Sequence, residues 1–273
     1  MPTDDIRVPD SIDVEKPSAA RMYDYYLGGY LNFEADRQAA EQVLQVAPVV
    51  REIAVSNRAF LQRAVTYILE QGITQFLDIG SGVPTVGSVH ELVQRSVPDG
   101  RVVYVDIDPV AIEHAKALLE DNPNVGAIQA DARQPEQILH HPTTQSLLDF
   151  DQPIGILLVS LLHFLEDEAA FTLVQTLRET MARGSYLALS RVTSEGVPEE
   201  VTRQLAAIYA RSSAAVGKAH TPDQIAQLFE GLEVVEPGIV WLPLWRPRSQ
   251  RNPLLDEPER SMMLAGVGYK AVD

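Results

Sequence analysis

The hydrophobic positions of this chain form short apolar runs that alternate with longer amphipathic segments. Between residues 73 and 192, five runs are only five to seven residues long and mostly apolar, as buried β-strands are. They lie at 75–79, 102–106, 125–129, 154–159 and 186–192. Because these runs alternate with helical segments and carry apolar residues on both faces, the pattern predicts an α/β fold with a doubly wound, mainly parallel sheet.

Helical segments flank this alternating region on both sides. The pattern predicts helices over 18–27, 34–47 and 49–70, separated by Gly28-Gly29 and by Pro48. It predicts further helix over 198–230, with one helix opening at Pro222. Two late runs, 232–237 and 262–271, are expected to add strands. We therefore expect an N-terminal tail and helical cap over residues 1–72 and a cofactor-binding core over residues 73–273.

Composition narrows the classes of partner. The 273 residues include 22 basic and 38 acidic side chains, a formal net charge of −16, which disfavours a nucleic-acid partner and favours a small molecule. There is no cysteine, the first residues are polar and acidic, and the longest apolar run is too short to span a bilayer. We expect a cytoplasmic protein with no membrane partner and no metal ligand set, and the sequence does not indicate an oligomeric state.

A glycine-rich segment after the first predicted strand is the strongest candidate for chemistry. Asp78 ends that strand, and Gly80, Ser81 and Gly82 follow, with Thr85 where a dinucleotide-binding loop would have its third glycine. We expect a turn that opens a helix and brings backbone N–H groups close to a ligand. A carboxylate beside this loop would repel a pyrophosphate and suits a ligand with positive charge, such as an ammonium or a sulfonium. A plain turn between strand and helix is the alternative.

Two further acids stand at strand ends. Asp106 closes the second strand, followed by Ile107, and an acid at this distance from a glycine loop typically binds ribose hydroxyls. Its alternative role is a helix N-cap, for which Asp108 is better placed because Pro109 then occupies the first helical position. Asp131 closes the third strand, with a loop aspartate making a turn as its alternative.

These motifs together resemble class I S-adenosylmethionine (SAM) methyltransferases, and in particular a bacterial subfamily with an undefined substrate and a YDYxLGG-type helical segment. The likeness rests on the stretches 17–41, 56–65, 76–85, 102–110 and 236–247. The resemblance implies a seven-stranded Rossmann-like sheet whose last strand is antiparallel. It also implies SAM as cofactor and S-adenosylhomocysteine as product. It further implies that Asp131 accepts a hydrogen bond from the adenine amino group and that the Ala132 backbone meets the ring edge.

The cap and the fourth strand add candidate residues. Tyr23 and the Gly28-Gly29 backbone are expected in a lid near the methionine end of the cofactor, with simple packing at the sheet edge as the alternative. Ser160 is expected to turn its backbone to the methionine amino group. His163 is either a general base or a wall residue.

Three functions remain open from the sequence. The first is a SAM-dependent methyltransferase that acts on an oxygen or nitrogen of a small molecule. The second is a SAM-binding sensor or interaction module without turnover. A nucleotide-dependent oxidoreductase is the third, and it is disfavoured by Thr85 and Asp78.

Overall fold

The computed structural model describes residues 13–84, 87–212, 219–248 and 252–272. The helices are α1 Ala19–Tyr26, α2 Glu34–Val46, α3 Val50–Glu70, α4 Val89–Ser96, α5 Pro109–Leu119, α6 Pro135–Leu139, α7 Pro142–Leu147, α8 Asp167–Thr180, α9 Glu199–Tyr209 and α10 Pro222–Gln227. The strands are β1 Gln75–Ile79, β2 Arg101–Asp106, β3 Val125–Gln129, β4 Gly155–Val159, β5 Tyr186–Val192, β6 Glu233–Val234, β7 Val240–Trp241 and β8 Met263–Tyr269.

The strands form one sheet in the order β3-β2-β1-β4-β5-β8-β6. The first five are mutually parallel, and β8 lies antiparallel beside β5. The chain order reverses direction between β1 and β4, which is the switch point where open α/β sheets bind ligands. The predicted doubly wound α/β fold with an antiparallel last strand is confirmed.

The outer edge of the sheet differs from the prediction of seven continuous strands. Both β6 and β7 pair with β8, so the described residues form eight strand segments. Pro237, which has no N–H to donate, and Gly238, at φ +96°, lie between the two segments and interrupt the edge. The predicted strand at 232–237 is therefore shorter than expected, and its continuation at Val240–Trp241 was missed.

The two faces of the sheet carry separate apolar cores because successive strand residues point to opposite sides. Leu77 and Val103 face the core that α6, α8 and α10 cover. Phe76 and Val102 face the core that α3, α4 and α5 cover. This arrangement leaves the carboxyl ends of the parallel strands open toward the cap.

The cap consists of α1 and α2, which pack on α3 and α9. Met22, Tyr26 and Val43 are buried in its apolar cluster. Arg21 joins the cap to the core, because its Nε lies 2.9 Å from Asp36 and its Nη1 lies 3.4 Å from Asp108 at the start of α5. The division at residue 72 stays a prediction, since α3 contacts both the cap and the sheet.

No helix in the described part of the chain combines the length and apolarity that crossing a membrane requires.

Candidate cofactor and acceptor site

A cavity of about 310 Å³ lies between the cap and the carboxyl ends of β1, β2, β4 and β5. Its size falls at the lower end of the range typical of small-molecule sites. One end is lined by the glycine loop and the acids at the strand ends. The other end is lined mainly by apolar and aromatic side chains of the cap, α9 and the segment after β4.

The glycine loop forms one wall of the cavity. Gly80 and Gly82 take φ values of +74° and +63°, which side-chain-bearing residues rarely adopt. The Gly80 N–H donates to Val105 O at 2.8 Å, which fixes the loop to the end of β2. A Cβ atom at Gly80 would lie 2.7 Å from Leu161 Cδ1, so a larger residue would be both strained and crowded.

The loop does not open directly into a helix, contrary to the prediction. Helix α4 begins at Val89, after Pro84 and after Gly87 at φ +77°. Val89 is buried and does not line the cavity. The groups that face a ligand here therefore belong to the loop backbone rather than to a helix N-terminus.

Asp78 and Asp106 place two buried carboxyls beside the loop. Asp106 Oδ2 accepts from the Gly82 N–H and Oδ1 from the Asp108 N–H, both at 2.8 Å. Burial raises the pKa of Asp106 to about 6. Burial also raises the pKa of Asp78 to about 7, with the Arg58 charge lowering it and the Asp106 charge raising it. Because both carboxyls have raised pKa values, they suit a positively charged ligand, which would stabilise their ionised forms.

Asp108, not Asp106, caps α5, as predicted. Its Oδ1 accepts from the Val110 N–H at 2.8 Å and from the Ala111 N–H at 3.3 Å. The backbone N–H groups of Gly82, Ile107 and Asp108 stabilise the Asp106 carboxylate, whose two oxygens have about four acceptor positions in total. A remaining acceptor position is the one a ribose hydroxyl would use. Ile107, next in the chain, is half exposed and lines the cavity.

Asp131 and Ala132 also line the cavity, but the Asp131 carboxylate is engaged in a local turn. Arg133 donates from Nε to both carboxylate oxygens at 2.9 Å and from Nη2 to Oδ2 at 2.5 Å. The Arg133 N–H donates to Oδ1 as well. This pairing lowers the pKa of Asp131. The structure thus shows the turn that was the alternative role, while the adenine role stays a prediction.

A chain of hydrogen bonds joins the cap to Ser160. The Asn57 amide donates to the Tyr23 hydroxyl at 3.0 Å, and Tyr23 donates to Ala54 O at 3.0 Å. The Ser190 hydroxyl donates to Asn57 Oδ1 at 2.7 Å and accepts from the Ser160 N–H at 2.9 Å. Asn57 is therefore a buried polar group that points inward from α3. Because its N–H is used, Ser160 offers only its carbonyl and hydroxyl to a ligand.

Gly28 and Gly29 are absent from the cavity wall, so the structure does not support their predicted contact with the cofactor. They close α1, where Gly28 has φ +77° and the Gly29 N–H donates to Asp24 O at 2.9 Å. The Asp24 carboxylate lies directly under Gly29, where a Cβ atom would come within 1.9 Å of it. That carboxylate also accepts from the Leu31 N–H and the Asn32 amide, both at 2.8 Å. The two glycines thus serve a buried turn, while Tyr23 does line the cavity.

The apolar end of the cavity was not predicted from the sequence. Six of its lining residues are Tyr26, Val43, Ile53, Phe164, Leu205 and Tyr209. The Phe164 and Tyr209 rings lie 5.5 Å apart at 61°, and the Tyr26 and Tyr209 hydroxyls lie 3.3 Å apart. Burial raises the pKa values of both tyrosines, so they are neutral hydroxyls. Aromatic residues at helical spacing have the same sequence pattern whether they line a cavity or pack in a core, so the sequence did not distinguish the two.

His163 lines the cavity, but its environment does not suit a general base. Burial, assisted by the Arg191 charge, lowers the pKa of the imidazole to about 3. A group this weakly basic takes up a proton poorly near neutral pH. Its Nδ1 is buried and has no hydrogen-bond partner in the described part of the chain. Across those same residues, no group of three or more His, Asp or Glu side chains is arranged to hold a metal ion.

Comparison with known proteins agrees with the geometry of the site. A model of the S-adenosyl methyltransferase family matches residues 5–271. A candidate methyltransferase from Thermobifida fusca is 41% identical, with a TM-score of 0.90 over 97% of this chain and 99% of that chain. A protein from a family of unassigned function in Streptomyces avermitilis is 36% identical, with a TM-score of 0.88 over 94% of this chain and 99% of that chain.

More distant structures share only the fold. An O-methyltransferase family protein from Burkholderia thailandensis is 14% identical, with a TM-score of 0.51 over 94% of this chain and 65% of that chain. Among curated protein sequences, none matches the chain significantly. The family model spans nearly the whole chain, and its cofactor suits a cavity that places two carboxyls beside a glycine loop. The chain therefore belongs to the S-adenosyl methyltransferase family and is a SAM-dependent methyltransferase.

Proposed function

We propose that this enzyme transfers the methyl group of SAM to an oxygen or nitrogen of a small, largely apolar molecule. The observation that carries the proposal is the single cavity with two chemically different ends. One end holds Asp78 and Asp106, and the other holds Phe164 and Tyr209. A cofactor at the polar end would direct its methyl group toward an acceptor at the apolar end.

The polar end supports specific roles toward SAM. Asp78, buried and without a fixed charge, would pair with the cofactor ammonium, which stabilises its ionised form. Asp106 would accept hydrogen bonds from the ribose hydroxyls, and Gly80, Ser81 and Gly82 would allow close approach of the backbone. Ile107, Asp131 and Ala132 would surround the adenine. The Ser160 carbonyl would face the methionine end, and Tyr23, connected to Ser160 through Asn57 and Ser190, would form part of the same wall.

The acceptor end supports a small molecule rather than a macromolecule. Its wall is aromatic, and the cap helices α1 and α2 cover it together with α9. The net charge of −16 also disfavours the phosphate backbone of a nucleic acid. Methyl transfer itself is an in-line displacement, for which the protein chiefly supplies position and exclusion of water.

The proposal is tested with SAM that carries an isotopically labelled methyl group. The enzyme is incubated with a bacterial cell extract, which is then separated into small-molecule, protein and nucleic-acid fractions. We expect label in the small-molecule fraction, and much less label with Asp106→Ala when SAM is kept below the Kd of the variant. Label in the protein or nucleic-acid fraction would contradict the proposed acceptor class. SAM that binds but transfers no label to any fraction would favour the sensor alternative.

A further inference from the structure

A buried arginine lies directly behind the cavity wall. Arg191, near the end of β5, is fully buried. Within the described residues, none of its three guanidinium nitrogens has a hydrogen-bond partner. Its Nη2 makes an ion-pair contact of 3.7 Å with Asp167, whose side chain is 47% exposed. Burying a charge with so little compensation is costly, so this guanidinium calls for a further partner.

Several residues near Arg191 lie beside the cavity. We call Arg191, Asp167, His220 and His163 the Arg191 cluster. His163 lines the cavity, and so do Val192, Glu166 and Ala219. The last three are the chain neighbours of Arg191, Asp167 and His220, respectively. His220 Nε2 lies 3.0 Å from Asp167 Oδ1. The cluster is adjacent to the wall, because the Arg191 charge acts on His163, which lines the cavity.

The cluster gives this wall hydrogen-bond donors and positive charge. His163 Nδ1 is buried and unpartnered in the described structure, and the imidazole is neutral because burial and Arg191 lower its pKa to about 3. A neutral imidazole donates from one of its two ring nitrogens, according to its tautomer. Arg191 supplies a full charge behind it, partly offset by Asp167. Glu166, which also lines the cavity, and Glu168 carry the opposite charge, but both are exposed, so solvent screens them more than the buried guanidinium.

We propose that the methyl acceptor presents an ionised oxygen, of a carboxylate or a phenolate, to the Arg191 cluster. This inference rests on the proposed function. The oxygen would accept a hydrogen bond from the His163 imidazole, and the Arg191 charge would stabilise the anion. The aromatic wall formed by Phe164 and Tyr209 would hold the body of the acceptor.

An ionised acceptor explains how transfer proceeds beside a histidine that is a poor base. A lone pair of the oxygen forms the new C–O bond with the methyl carbon. The C–S bond breaks, and its electron pair stays on sulfur. The sulfonium becomes the thioether S-adenosylhomocysteine, the anion becomes a neutral methyl ester or ether, and no proton moves. A neutral alcohol would have to lose a proton, and His163 accepts one poorly.

The test uses benzoate and its neutral analogue benzamide as probes. Binding of each is measured by calorimetry and by thermal shift, with and without S-adenosylhomocysteine. The variants are Arg191→Met and, as a control with the same loss of charge, Arg248→Met. Arg248 lies in an exposed ion pair with Glu70, away from the cluster. We expect wild type and Arg248→Met to prefer benzoate and Arg191→Met to bind it roughly tenfold or more weakly.

A second arginine separates ligand binding from a structural role. Arg63 is also buried, but its nitrogens donate to Trp245 O at 2.7 Å and Leu242 O at 3.1 Å. Arg63→Met should lower the melting temperature because it leaves both carbonyls unpartnered. Arg191→Met should leave the melting temperature of the free protein unchanged or raise it, because it removes a poorly compensated charge. His163→Phe, which leaves Arg191 in place, should also weaken benzoate binding.

The possible outcomes either support or overturn the inference about the Arg191 cluster. Equal binding of benzoate and benzamide by wild type would overturn the inference. It would also be overturned if Arg191→Met and His163→Phe kept the wild-type preference for benzoate. If Arg191→Met does not fold, the response of His163→Phe decides. Wild type that fails to bind S-adenosylhomocysteine would instead refute the proposed function, whereas normal binding of it without a preference for benzoate refutes this inference alone.

Discussion

The Ser190 hydroxyl donates a hydrogen bond of 2.7 Å to Asn57 Oδ1, and this contact connects the helical cap to the centre of the sheet. Asn57 is on α3 and holds Tyr23 of the cap. Ser190 is on β5 and accepts from the Ser160 N–H at the end of β4. One side of the cavity is therefore fixed by buried polar contacts rather than by apolar packing alone.

A double-mutant cycle measures this connection. Asn57→Ala and Ser190→Ala should each lower the free energy of unfolding by about 1–3 kcal/mol, because each leaves a buried polar group without its partner. The double variant should be less destabilised than the sum, with a coupling of about 0.5–3 kcal/mol. Urea unfolding of the four proteins provides the values. Strict additivity would show that the two side chains do not depend on each other.

Hydrogen exchange separates a fixed cap from a mobile lid. Met22 and Tyr26 are buried, and Arg21 is paired with Asp36 and Asp108. We therefore expect α1 to be protected both with and without S-adenosylhomocysteine. Tyr23→Phe, which removes the hydrogen bonds of the hydroxyl, should cost about 0.5–1.5 kcal/mol of stability. Exchange in α1 that slows strongly only when the ligand is added would instead show the lid that the sequence suggested.

Asp78 should make cofactor binding depend on pH. Its pKa is raised to about 7 in the folded protein, so its contribution to the stability of the free protein is present at low pH and is lost as pH rises through about 7. The cofactor ammonium prefers the ionised carboxylate. The Kd for S-adenosylhomocysteine should therefore fall as pH rises from about 5.5 to about 8, with release of a proton on binding.

The control for this pH dependence is Asp78→Asn. It should bind more weakly and lose the transition near pH 7, leaving only the smaller effect of Asp106, whose pKa is about 6. Calorimetry in buffers of different ionisation enthalpy counts the protons released. A wild-type Kd that is constant across this range would exclude Asp78 as the partner of the ammonium.

Substitutions of Arg133 and of Asp131 are expected to have opposite effects on adenine binding. If Asp131 accepts from the adenine amino group, the exposed pair with Arg133 competes with it. Arg133→Ala should then lower the Kd for S-adenosylhomocysteine by up to about fivefold, the value of a surface ion pair, and Asp131→Ala should raise it. Competition binding with a fluorescent analogue is sufficient. A weaker complex in Arg133→Ala would mean that the arginine itself contacts the cofactor.

The sequence predicted the parts of the site that depend on strand ends. Asp78, Asp106 and Asp131 each close a short apolar run, and parallel strands bring their carboxyl ends to one edge, so their proximity followed from the fold. The role of Asp108 as N-cap followed from Pro109 in the same way. Local chemistry was sufficient at these positions.

The parts that depend on tertiary packing could not be predicted from local patterns. Paired glycines predict a backbone turn, but they do not predict which side chain packs against that turn. The buried Asp24 carboxylate packs against Gly29, and the turn at Gly28 and Gly29 is built around it. The Arg191 cluster joins β5, α8 and the segment before α10, which no local pattern connects. Its one signal was an arginine inside the apolar run of β5. Pro237 was the corresponding signal for the interrupted edge strand.

The most direct test of the site is a calorimetric titration of S-adenosylhomocysteine into wild type and Asp106→Ala. Hydrogen bonds from ribose hydroxyls to a carboxylate contribute about 1.5–3 kcal/mol, which corresponds to a rise in Kd of roughly 10- to 200-fold. Circular dichroism confirms that the variant is folded, because Asp106 also holds the Gly82 N–H. We predict tight one-to-one binding to wild type and a loss in this range for the variant. An unchanged Kd in a folded Asp106→Ala protein would contradict the assignment of this cavity as the SAM site.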